Sequence, residues 1–129
     1  MNKKILITGT FLGILGIVLG AFAAHGLEKL VDADAIKSFE TGVRYQMYHA
    51  FLLVILGSTS FVSMKSKKII FYLVIIGLIL FSGSIYGLAT NELSGFDFKK
   101  IALITPIGGL SLIIAWVAML IGILKAKVD

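Results

Sequence analysis

Four apolar runs occupy most of this 129-residue chain: Ile5 to Ala24, Tyr45 to Met64, Ile69 to Thr90 and Ile101 to Leu124. About 20 residues at a rise of about 1.5 Å cover the roughly 30 Å hydrocarbon layer of a bilayer, so each run can cross it as a helix. A backbone in that layer must bond to itself, which leaves helices or a closed barrel, and the runs lack the polar/apolar alternation of barrel strands. Composition agrees, because 58% hydrophobic and 15% charged residues, with a mean hydropathy of +1.01, fall well outside the range of soluble domains. The expected fold is all-α: an integral membrane bundle of four transmembrane helices in one domain over residues 1–129, with an additional amphipathic helical segment between helices one and two.

The first run also imitates a signal peptide, since Asn2-Lys3-Lys4 precedes an apolar stretch that ends near an A-x-A site at Ala21-Phe22-Ala23. It is long for that role, and an intact first helix is expected. The absence of Cys removes disulfides, thiolate metal sites, Cys nucleophiles and N-terminal lipoprotein anchoring.

A net charge of +5 could suggest nucleic acid, but the basic residues sit at segment ends and form no stripe, so no nucleic-acid partner is expected. Four crossings gather Lys3, Lys4, Lys65, Lys67, Lys68, Lys125 and Lys127 on one side, against the single acid Asp129. The other side holds Lys29, Lys37, Arg44, Lys99 and Lys100 with Glu28, Asp32, Asp34, Glu40, Glu92 and Asp97. The positive-inside rule then makes this a multi-pass protein of the cell (inner) membrane with N- and C-termini cytoplasmic.

Between the first two runs, Ile36, Phe39, Val43 and Met47 recur at helical spacing, with Lys37, Glu40 and Arg44 on the other side. Asp32 or Asp34 can cap this helix. It either continues into the second span, standing above the surface or bending at Gly42, or lies along the headgroups. Gly9 and Gly13, then Gly16, Gly20 and Ala24, make small ridges on helix one, and Gly108, Ser111, Ala115, Ala118 and Gly122 make another on helix four. Such ridges let helices approach closely within one chain, or between copies. Pro106 is expected to kink or open the start of helix four, beside Thr105 and the soft pair Gly108-Gly109.

With this topology His25, Tyr45, Gln46, Tyr48, His49, Ser82, Gly83, Ser84, Tyr86 and Thr105 all fall in the outer third of the membrane, near Arg44. The inner half offers Trp116 and hydroxyls able to bond to their own helix (Thr8, Thr10, Ser58, Ser60).

The segments "GAFAAHGL", "FETGVRYQMYHA", "FSGSIYGL" and "TPIGGLSLIIAW", in that order, resemble the family called domain of unknown function 423, which includes small bacterial inner-membrane proteins and the eukaryotic transmembrane protein 256. The resemblance implies a four-helix membrane protein without an established activity. It suggests Gly20, His25, Tyr45, His49, Ser82, Gly83, Ser84, Tyr86, Pro106, Gly108 and Gly109 as shared positions, and it puts Ala23 where many relatives are expected to carry Gly.

Three functions compete. In a non-enzymatic accessory or scaffold protein the polar cluster is glue between helices. In a binder of a lipid, quinone or other amphiphile, Arg44 clamps an anion while Tyr45, Tyr48, Tyr86 and His49 donate, with Gln46, Ser82, Ser84 and His25 nearby. In a haem protein His25 and His49 are the two ligands. Residue by residue, an aromatic belt, a snorkelling Arg44 and a capping His25 account for the same features. No paired carboxylates, metal-ligand trio or nucleophile beside a base suggests catalysis, and no cofactor is assigned. The partners expected are membrane lipid and either a second copy or another membrane protein. On helix two, the face with His49, Tyr45, Gln46, Leu53 and Leu56 is expected to turn inward, bonding to Ser84 or Tyr86, and the face with Arg44, Tyr48, Phe51 and Leu52 outward.

Overall fold

Each apolar run becomes a helix, and identifiable side chains set where the helices end. The computed structural model describes residues 2–127; Asp129, the one acid assigned to the lysine-rich side, lies outside the described residues, as does Met1. α1 is Asn2–His25, α2 Ala33–Ser58, α3 Met64–Leu78, α4 Ser84–Ala89 and α5 Ile104–Lys125. A wide π-type turn, Ile79–Gly83, joins α3 to α4 while keeping helical backbone angles at both ends, so Met64–Ala89 is one rod. The four rods have 24, 26, 26 and 22 residues, or about 33 to 39 Å each at 1.5 Å per residue.

Three rods, α1, α3–α4 and α5, are long and apolar enough to cross a membrane. α2 has the length, but Lys37, Glu40, Arg44, Gln46 and His49 lie in its first two thirds and make it the most polar of the four.

The amphipathic segment is not a separate element. It forms the opening turns of α2, capped by Asp32, whose Oδ1 accepts from the Ala35 N–H at 2.8 Å. Gly42 is not a hinge either. A Cβ there would lie 2.7 Å from the Tyr86 ring, and the Gly42 carbonyl accepts from Ser82 Oγ at 2.8 Å. Its missing side chain admits a neighbouring helix.

The turn between the second and third runs falls earlier than their bounds at Met64 and Ile69 suggest. Thr59 leaves the helical region at φ −118°, ψ 165° and ends α2; Ser63 then caps α3 by accepting from the Ser66 N–H at 3.1 Å. Lysines mark where water begins, whereas caps mark where a helix begins, and here the two differ. Ending α2 at Ser58 instead of Met64 carries its polar residues about 9 Å deeper into the bundle. His49 therefore sits nine residues from Ser58, level with Trp116, nine residues from Lys125. Both lie near mid-depth, not in the outer third.

α1 packs along α2 and α3 along α5, and α2 links the two pairs through α4 and the π turn. On α1 the contact stripe is Ile5, Gly9, Gly16, Gly20 and Ala23. Added Cβ atoms would meet Ala50 O and Leu53 Cβ at 3.0 Å from Gly9, Met47 from Gly16, and Val43 at 3.6 Å from Gly20. Gly13 is off the stripe, with nothing within 4 Å of its would-be Cβ. On α5, Gly108 comes so close to the π turn that a Cβ would clash with Phe81 N and lie 2.6 Å from Leu80 C. Ser111 donates to Leu73 O at 2.8 Å, Ala115 is buried, and Gly122 faces Val62. The small stripe of α5 thus packs within the chain. Pro106 occupies the first turn of α5, where an N–H would have no helical partner, so it removes no helix bond. Gly108 is a contact there, not a point of softness.

Apolar side chains divide into two clusters. Leu53, Leu56, Ile70, Phe71, Val74 and Leu112 centre the larger one, toward the end where Asn2, Ser58, Met64 and Lys125 gather. Ala23, Leu27, Phe39 and Ala89 form a smaller one at the loop end. A belt of polar side chains lies between them.

Candidate functional site

Gln46 is the hub of that belt. Only 4% exposed, it donates from Nε2 to Leu12 O on α1 at 2.9 Å and accepts at Oε1 from Tyr86 OH on α4 at 2.6 Å. One amide thereby ties three rods. Ser82, in the π turn, donates to Gly42 O on α2. Ser84 lies within 2.6 Å of Leu80 O and 2.9 Å of Phe81 O, and its hydroxyl meets Thr105 Oγ1 on α5 at 2.5 Å. The widened turn and the close approach of Gly108 coincide, so side-chain oxygens gather around the very backbone that leaves regular α geometry. Such π turns occur disproportionately at functional sites.

His49, 3% exposed, joins the fourth rod. Trp116 Nε1, a donor only, bonds to His49 Nε2 at 3.1 Å, so Nε2 must accept. Nδ1 then carries the proton and donates to Tyr45 O at 2.6 Å. Partner chemistry alone fixes this neutral tautomer. Among the described residues, every buried side-chain nitrogen or oxygen has a hydrogen-bond partner.

The structure brings Gln46, His49, Ser82, Ser84 and Tyr86 into one belt and leaves the other candidates outside it. Arg44 is exposed and donates from Nη2 to Thr41 Oγ1, one turn back on its own helix, at 2.8 Å. Tyr45 and Tyr48 lie on the outer surface, stacked edge to face at 5.6 Å, and Tyr45 also touches the Phe81 ring at 5.0 Å. On α2 the His49 face turns inward as expected, except that Leu52, assigned outward, is buried and Tyr45, assigned inward, is partly exposed. Gln46 takes the Tyr86 bond expected of this face, while His49 bonds to Trp116 instead.

The haem pairing does not match this geometry. His25 is exposed at the end of α1. Since Gly20 faces Val43, His25 and His49 are about 16 Å apart along the bundle, by 1.5 Å of rise per residue. His49 also has both ring nitrogens engaged.

Two residues escaped the sequence reading. Trp116 is the chain's one Trp, and an indole N–H inside a span needs an acceptor; that signal was present, but its depth was set against the wrong end of α2. Lys67 was counted as a surface charge, yet it is 2% exposed and lies on the face of Ile70, Phe71 and Val74. Its Nζ donates to Asn2 Oδ1 at 3.0 Å and to the Thr59 carbonyl. An ammonium beside the last carbonyls of α2 also suits the negative end of the helix dipole.

Beside the belt, Tyr45, His49, Phe81, Gly109, Leu112, Ile113 and Trp116 line a lateral cavity of about 260 Å³ between α2 and α5. A smaller one of about 160 Å³ lies between α1 and the π turn, against Gln46, Ser82 and Tyr86.

A bundle of long apolar helices around a satisfied polar belt defines a small integral membrane protein. The chain belongs to the family described as proteins of unknown function, DUF423, which it matches over residues 19–109. It is 37% identical to the UPF0382 inner membrane protein YgdD of Escherichia coli, over 98% of this chain and 93% of that protein. It is 34% identical to a UPF0382 membrane protein of Haemophilus influenzae, over 98% of each chain. The UPF0382 membrane protein YwdK of Bacillus subtilis is also 34% identical, over 95% of this chain and 98% of the relative. No solved structure matches.

Proposed function

We propose that this is a non-enzymatic scaffold or accessory protein of the cell membrane, multi-pass with both termini in the cytoplasm, whose polar belt serves to hold its own helices in register. The observation that carries this reading is the mutual satisfaction of the belt: Gln46, Tyr86, Ser82, Ser84, Thr105, His49 and Trp116 bond to one another or to backbone. Interhelical bonds contribute about 0.6 kcal/mol each in membranes, enough in sum to select one packing. The cytoplasmic assignment rests on the lysine asymmetry. Cysteine at Ser94 should label with an impermeant maleimide on intact cells and cysteine at Ser66 should not; the reverse pattern inverts the topology. The partner of a scaffold is a second copy or another membrane protein, and native mass spectrometry from mild detergent should show protein–protein species without a stoichiometric quinone.

The lateral cavity favours a second reading, a binder of an amphiphile such as a quinone. It opens in the apolar flank of the bundle, with the His49–Trp116 pair in its wall. Because Trp116 is the single Trp, a short-chain quinone that entered would quench its fluorescence saturably, and Gly109→Leu would remove the saturation. Linear, unsaturable quenching in the parent protein would discard this reading.

A further inference from the structure

The geometry points to a binding site for the phosphate of an anionic phospholipid at the terminal end of the bundle, in the crevice between the start of α3 and the end of α5. A cavity of about 370 Å³ lies there, flanked by Lys65 on α3 and Lys125 on α5. Ser63 and Ser66 form its polar wall, and Ile69, Ala118 and Ile121 continue it as an apolar one.

The lysines of this end divide by what they touch. Lys67 is buried against Asn2 and Thr59. Lys4 Nζ reaches Tyr72 OH at 3.4 Å and lies 5.7 and 5.5 Å from the Phe71 and Tyr72 ring centroids. Both are used by the fold, whereas Lys65 and Lys125 face one crevice from two helices. The described segments meeting at this end, residues 2–4, 59–68 and 123–127, contain no acid to neutralise them.

The hydroxyls add direction. Ser63 Oγ accepts from the Ser66 N–H and donates to Ser66 Oγ, each at 3.1 Å. Ser66 Oγ therefore receives a proton and has its own to give to an anion. Two ammonium groups and a hydroxyl match phosphate oxygens, while Ile69, Ala118 and Ile121 run from that point along the flank where an acyl chain would lie. A basic pocket between membrane helices with an apolar continuation is the form that lipid headgroup sites take. Free phosphate would use the polar half alone.

The test is native mass spectrometry of the full chain, purified in mild detergent and offered phosphatidylglycerol and phosphatidylcholine in equal amounts. With about 1 kcal/mol per lysine near the surface, two lysines should give a preference for phosphatidylglycerol of about tenfold or more. The double variant Lys65→Gln, Lys125→Gln should lose that preference. The variant Lys3→Gln, Lys127→Gln removes the same charge from the same end and should keep it. The site is overturned if the first variant keeps the preference, or if the second loses as much, since diffuse charge would then explain the binding. Excess inorganic phosphate should leave the adduct in place. If it displaces the lipid and binds by itself with the same dependence on Lys65 and Lys125, the ligand is free phosphate and the lipid assignment fails.

Discussion

α1 and α5 are both glycine-rich and each packs chiefly along one neighbour, yet they are fastened by different means. α5 offers its own side chains to the rest of the bundle: Thr105 to Ser84, Ser111 to Leu73 O and Trp116 to His49. α1 contributes one donor of its own, Lys4 to Tyr72 OH, and otherwise accepts, from Gln46 at the Leu12 carbonyl and from Lys67 at Asn2, its first described residue. Only 17% of its spanning window is buried, against 28% for α5. α5 is held by shape and by bonds from Thr105, Ser111 and Trp116 along its first two thirds, whereas the bonds of α1 lie at Asn2, Lys4 and Leu12, in its first half, and its second half rests on shape. In a solvent without a hydrophobic drive between helices, polar bonds from one side can replace buried area, and close backbone approach can replace both.

Substitution at the glycines should separate these modes most sharply. Gly108→Leu sets a side chain against the backbone of Leu80 and Phe81, which cannot move aside as a side-chain tip can. It should exceed the about 1 to 3 kcal/mol usual for overpacking, read as failure to recover a monodisperse, thermally cooperative protein. On α1, Gly9→Leu should cost more than Gly16→Leu, because Gly9 meets backbone and Cβ atoms and Gly16 meets the flexible end of Met47. Gly13→Leu, facing open space, should be neutral in the same thermal melts. Equal effects at Gly13 and Gly108 would erase the difference between the helices.

Next in size is Lys67→Met, which strands Asn2 Oδ1 and the Thr59 carbonyl and removes a cation from the end of α2. It should cost about 1 to 3 kcal/mol, whereas Lys65→Met, exposed, should leave the melting temperature unchanged. A silent Lys67→Met would mean that the bond at Asn2 adds nothing to the hold on α1.

The belt should respond more mildly. Gln46→Leu removes two interhelical bonds and Tyr86→Phe one, at about 0.6 kcal/mol per bond and at most about 1.7. A double-mutant cycle between Gln46 and Tyr86 should return a coupling of that order, and zero coupling would remove the amide as a hub. Smallest of all should be Trp116→Phe, which keeps the ring and loses the single bond to His49; a melting point as low as that of Gln46→Leu would show that α5 depends on this contact more than on its glycine stripe.

The four helices were legible because apolar length is a direct physical requirement of a bilayer, and the inward face of α2 because Gln46 and His49 recur with Leu53 and Leu56. The meeting of Gln46 with Tyr86 followed from topology. Depth was less legible: charge located the water boundary, and the cap at Ser63 went unread, so His49 was set too far out and Trp116 too far in. The π turn left no periodic trace. Ser82-Gly83-Ser84 can be read as plain helix, and the turn is seen only where Gly108 of a distant segment meets it. Arg44 misled by proximity in sequence, since one residue along a helix is a rotation of about 100° and faces another environment.

The bond from Lys67 to Asn2 joins the start of the first helix to the start of the third. A ribosome makes Asn2 long before Lys67, and the two cannot meet until both intervening crossings have been placed and have returned to the same side. On the proposed topology, with both termini cytoplasmic, the ammonium until then counts as one more charge opposing translocation; afterwards it is withdrawn from that surface into the bundle. The contact thus closes only once Lys67 has been made, and Asn2 waits for a partner that lies 65 residues further along the chain.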